Sequence, residues 1–177
     1  RICVKIAERK KRRSRRMIKP IFQKVLILMN GSESSVHAVQ YGILMSKLYH
    51  CALKAVYVVD TATLKQLTLT KIFVIEESSE YESSLTADGN RYLGYAAELA
   101  AAKNVKIETE LLHGSIWGET IRAADEFGAN LILLGGSEKG EHGDSSMRVS
   151  HKRIFENAGC SVLYVKEKQV EQLYKLV

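Results

Sequence analysis

Apolar positions along the chain fall into two kinds of run that take turns. Four are short and nearly unbroken: Lys24–Met29 (KVLILM), Ala52–Val59 (ALKAVYVV), Leu131–Leu134 (LILL) and Val162–Val165; a fifth short run, Lys106–Leu112, is broken by charged residues. Runs of this length, with β-branched residues among them, read as strands, and the most apolar of them as strands covered on both faces. Longer stretches with helical spacing separate them. From Ser35 to about Tyr49, Val36, Val39 and Ile43 join Tyr41, Leu44 and Leu48 in a broad apolar stripe. From about Glu80 to Lys103, Leu85, Gly89, Tyr92, Ala96 and Leu99 recur at steps of four and three. Ile116–Phe127 predicts a helix ended by Gly128, and a short one is expected near Ser150–Ala158. Residues 60–79 have the weakest periodicity and predict a short helix or an excursion. Residues 168–177 read as a charged tail with helical tendency.

Strands alternating with helices imply an α/β fold of right-handed βαβ units: a mostly parallel sheet of five strands with helices on both faces. Ligands in such sheets bind beyond the carboxyl ends of the strands, where the strand order reverses. The segments at those ends are Asn30–Ser34, the region after Val59, His113–Trp117 and Gly135–Met147.

The composition supports one ordinary domain over 17–167, with 46% apolar and 26% charged residues in 177. The formal charge of +6 changes meaning once located: residues 1–16 hold nine Lys/Arg and one Glu, or +8, which leaves −2 for the rest. A domain that recognises specific nucleic acid spreads positive charge over a folded face, so that function is not expected. The basic leader suits a solvated tail, or nonspecific contact with anionic lipid or nucleic acid. The sequence begins with Arg, and Met17 reads as a natural domain start. Either Met17 is the true start or the domain follows an upstream region, in which case the leader fits a juxtamembrane linker. Cys3, Cys51 and Cys160 show no disulfide or metal spacing, which favours a reduced, cytoplasmic setting and makes Cys160 a small buried hydrophobe.

Three segments carry a family likeness: KVLILMNGSESSVHAV at 24–39, LLHGSIWGETIRAADEFGANLILLGG at 111–136 and AGCSVLYVK at 158–166. In this order and spacing the chain resembles the universal stress protein family over nearly all of 18–166. The resemblance implies strand order 3-2-1-4-5 and a homodimer paired through the last strand, here Ser161, Val162, Leu163, Tyr164 and Val165. Some family members bind ATP with Gly, two residues, Gly, nine residues and Gly-Ser/Thr. Here Gly135 takes the first position, but Glu138, Arg148 and Val149 fall on the others. Asn30 stands where those members carry an Asp beside the nucleotide. Glu138, Glu141 and Asp144 in the loop would repel a triphosphate.

No Walker A, GxGxxG or GxSxG pattern occurs, and the histidines stand singly, His113 and His142 included. Trp117 reads as a packing residue, with stacking on a base left open. The sequence therefore predicts a non-catalytic regulatory or stress-response protein, a homodimer that signals through a protein partner. One alternative is an adenine-nucleotide sensor, for ATP or a relative, with a rebuilt phosphate site. Asn30, Gly31, Ser32, Val58, Gly135 and Gly136 would form it, and Arg148 would replace the missing backbone contacts. The other alternative is a cytoplasmic regulatory domain of a membrane transporter.

Overall fold

A computed structural model describes residues 20–70, 75–136, 145–166 and 169–177. The leader, the carboxylates of the 137–144 loop and His142 lie outside the described residues. Five parallel strands are ordered β3-β2-β1-β4-β5. They are β1 (Lys24–Met29), β2 (Ala52–Val59), β3 (Ile107–His113), β4 (Leu131–Gly135) and β5 (Ser161–Val165). Among the described residues six helices accompany them: α1 (Glu33–Tyr49), α2 (Thr61–Leu69), α3 (Ile75–Ala102), α4 (Ile116–Phe127), α5 (Ser145–Asn157) and α6 (Val170–Leu176). None is long and apolar enough to cross a membrane.

Successive side chains of a strand point to opposite faces, so the unbroken apolar runs feed two cores. Val25, Ile27 and Met29 pack with α1 and α3, while Leu26 and Leu28 pack with α4 and α5. β4 divides likewise, Leu131 and Leu133 to the first face, Ile132 and Leu134 to the second. Each crossover helix thus covers one side of the sheet. The chain steps outward from β1 to β2 and β3, then crosses to β4 on the other side of β1. The reversal lies between β1 and β4.

The uncertain stretch after β2 is α2, capped by Asp60, whose Oδ1 accepts the Thr63 N–H at 3.1 Å and whose Oδ2 accepts the Thr63 hydroxyl at 2.7 Å. α3 begins at Ile75, ahead of the expected Glu80, and Ser79, Glu80, Ser83 and Ser84 along it are exposed. Apolar periodicity there starts only at Leu85. α5 also begins before its expected Ser150.

The charged end of the chain carries α6, which lies against α1. Val170 is fully buried, Tyr174 is 8% exposed, and the Tyr174 hydroxyl donates to the Leu99 carbonyl at 2.6 Å. Its helical tendency is thus realised, with every fourth residue drawn into the core.

His151 of α5 is buried with its ring edge-on to Tyr164 of β5, centroids 5.6 Å apart. Burial holds its pKa below the ordinary 6.5. The unfolded chain therefore takes up the proton first as pH falls. Stability should decline once pH drops below 6.5, and level off when the folded ring protonates too. Urea titrations from about pH 7 to about pH 5 should show this slope in the wild type and a shallower one in His151→Leu.

Candidate functional site

The turn after β1 is built from its own polar side chains. Asn30 Oδ1 accepts both the N–H and the hydroxyl of Ser32, at 3.1 and 2.7 Å. Ser32 Oγ meets Ser34 Oγ at 2.9 Å and accepts the Ser35 N–H at 3.2 Å, which caps α1. Gly31 sits at φ +80° beside Tyr92; a Cβ there would lie 2.4 Å from the ring. Tyr92 in turn stacks on Tyr57 with centroids 6.1 Å apart.

A cavity of about 430 Å³ opens at this end of the sheet. Leu28, Met29 and Asn30 from β1 and its turn line it, with Tyr57 and Val58 from β2. The opposite wall is α2, through Leu64 and Leu67. Tyr81 and Leu85 of α3, Ile116 of α4 and Met147 of α5 complete it, and Asp60 and Thr63 bring polar groups. The cavity is chiefly apolar with polar groups at a few points, the usual make-up of a small-molecule site. Two of the expected residues, Asn30 and Val58, are therefore brought together in one wall.

The other expected residues stand elsewhere. Gly135 ends β4 against the start of α1, where a Cβ would fall 2.5 Å from the Ser34 carbonyl carbon. The Gly136 N–H donates to the Val165 carbonyl at 2.9 Å. Neither glycine lines the cavity. Arg148 is exposed on the first turns of α5 and lines neither this cavity nor the one beside it.

That neighbour is a chamber of about 360 Å³ sharing Asp60, Thr63 and Ile116 with the first. Arg153 and Trp117 belong to its wall, the guanidinium 5.5 Å from the ring centroid. Sequence reasoning passed over Asp60 and Arg153. The signal for Asp60 was present, since an Asp directly after an apolar strand and before Thr-Ala-Thr is a helix cap. Arg153 enters by helix geometry: one turn beyond Val149, it returns to the face that Val149 presents to the chamber.

His113 ends β3 exposed, its Nε2 at 3.4 Å from Thr86 Oγ1, outside both cavities. Burial pushes the Cys51 and Cys160 thiols up, with Asp125 adding to the effect at Cys160; both remain poor nucleophiles at neutral pH. No group of three or more His, Cys, Asp or Glu is placed to hold a metal among the described residues. Among the described residues β5 pairs with β4 alone, and Leu163 on it is 36% exposed.

Comparison with known proteins adds a family and a fold. The profile of the universal stress protein family matches residues 21–166. Universal stress protein MJ0531 of Methanocaldococcus jannaschii is 30% identical over 152 residues, which span 85% of this chain and 86% of that protein. The crystal structure of a universal stress family protein from Burkholderia pseudomallei superposes with a TM-score of 0.65 at 22% identity, covering 83% of this chain and 98% of the other. One from Arabidopsis thaliana, solved with AMP bound, does so with a TM-score of 0.57 at 15% identity, covering 84% and 94%. The turn network after β1, the strand order and the match across the folded body lead to one conclusion: this chain belongs to the universal stress protein family.

Proposed function

We propose that the protein is a non-catalytic regulator that senses an adenine mononucleotide in the cavity between β1, β2 and α2. The observation that carries this reading is the cavity itself. It lies at the carboxyl ends of the strands, with apolar walls for the faces of a planar base and Asn30 and Asp60 for its polar edge. A base buries large flat apolar surfaces and needs only a few polar partners, which suits such a slot. The Arabidopsis relative's AMP supports the ligand class. The altered glycine spacing, with Glu138, Arg148 and Val149 in the wrong places, weighs against a triphosphate.

The cavity wall also argues for binding over chemistry. Asp60 has both carboxylate oxygens engaged by Thr63, and the Tyr57 phenol is pushed up, chiefly by burial. Neither is poised as a general base. In this reading the signal passes through a homodimer in the cytoplasm and on to a protein partner. Pairing Ser161–Val165 with its twin would satisfy the open strand edge and cover Leu163.

Calorimetric titration with adenosine, AMP and ATP tests the ligand. AMP is expected to bind more tightly than ATP, and AMP at a hundred times its Kd should add about 2.7 kcal/mol to unfolding stability. Val58→Glu, which brings a charge into the apolar wall, should abolish the effect. Absence of binding by all three ligands at millimolar concentration ends this reading.

A further inference from the structure

We propose that the chamber beside Trp117 is an anion subsite that takes the single phosphate of a nucleoside monophosphate. The identity of the ligand rests on the base-binding reading of the main cavity. The subsite itself rests on four groups that meet in the chamber.

The first is the start of α4. Ser115 occupies the N-cap position with extended backbone, yet its side chain caps nothing. The first-turn amides of α4 thus keep their unmet donors and the positive end of the helix dipole beside the chamber. Ser115, Ile116 and Trp117 all line it.

The second is Ser150 on α5. It is only 7% exposed and lines the chamber, and among the described residues no hydrogen bond engages its hydroxyl. The hydroxyl is therefore available to donate to a ligand in the chamber. This group is independent of the helix end, since it comes from another element on the opposite wall.

The third and fourth are Arg153 and Trp117. The indole holds the guanidinium by a cation–π contact. Among the described residues no carboxylate pairs with Arg153; Lys152 takes Glu156 and Arg122 takes Glu119 and Glu126. A planar, positioned and unpaired guanidinium is the side chain best suited to a phosphate.

Asp60 opposes these groups from the shared wall, but its two oxygens are committed to Thr63. Its charge penalises a polyphosphate more than a single phosphate. The subsite therefore draws on the start of α4, Ser150 and Arg153, and borders Val149, where the family's motif would place Ser/Thr. It gives a physical reason why Gly-to-Glu138, Gly-to-Arg148 and Ser-to-Val149 departures are compatible with a working site.

Trp117 is the sole tryptophan of the chain, so its fluorescence reports on this chamber alone. Inorganic phosphate is expected to change Trp117 emission in the wild type and to leave Arg153→Gln unchanged. Arg153→Gln should weaken AMP by about tenfold or more, and Ser150→Ala by about fivefold, while adenosine affinity stays as in the wild type. Equal AMP affinity in wild type and Arg153→Gln would overturn the subsite, as would AMP binding with Trp117 silent to both AMP and phosphate. A phosphate response lost in Arg153→Gln, with neither adenosine nor AMP bound, would keep the subsite and remove the base-binding reading.

Discussion

Gly135→Ala should cost the protein about 3 kcal/mol of stability. The glycine stands where a phosphate-cradle glycine would be sought, and the structure gives it a different duty. A Cβ there would lie 2.5 Å from Ser34 C and 2.6 Å from Ser34 O and Ser35 N. All three are backbone atoms of the α1 start, fixed by the Ser32 cap, so no rotamer change relieves the clash. Either β4 or α1 must move, and both belong to the inner core. Urea denaturation measures the loss directly through a lower midpoint at unchanged slope. Gly136→Ala is the control: its Cβ would meet the Lys166 side chain at 2.6 Å and the Val165 carbonyl only at 3.1 Å, so a flexible side chain absorbs most of the strain. If Gly135→Ala were as mild as Gly136→Ala, the close approach of β4 to α1 would not be a structural requirement.

The second large effect is expected at the far end of the sequence. Tyr174→Ala should destabilise by about 3 kcal/mol, the scale of deleting a buried aromatic side chain. Tyr174→Phe should cost about 1 kcal/mol, the worth of the hydrogen bond to the Leu99 carbonyl. The pair separates packing from hydrogen bonding at one position. Leu176, which is exposed on the same helix, should tolerate alanine with little change. Equal and negligible effects at 174 and 176 would mean that α6 does not hold the core.

Much of the fold could be read in the sequence because the three inner strands are buried on both faces. KVLILM and LILL have no polar alternative, and their spacing to the helices left few arrangements. What escaped was structure whose apolar signal is dilute. Early in α3, Ser79, Glu80, Ser83 and Ser84 are exposed, and no apolar periodicity marks the helix there. α6 shows only Val170 and Tyr174 to the core among charged neighbours, a pattern that charge counting reads as a tail. For the candidate site, Asn30 and Val58 could be singled out because one directly follows β1 and the other lies one residue from the end of β2. Arg153 and Ser150 were not, since their meeting with Trp117 and Ser115 depends on how α5 packs on α4. That packing is a tertiary fact, not a local one.

The placement of α6 also orders events in time. The α1–α3 face can be fully shut only after Val170 and Tyr174 have been synthesised and have left the ribosome. Until then, the Leu99 carbonyl lacks its partner and the apolar groups under α6 stay wet. A chain cut before Val170 would leave that face open and its apolar groups wet.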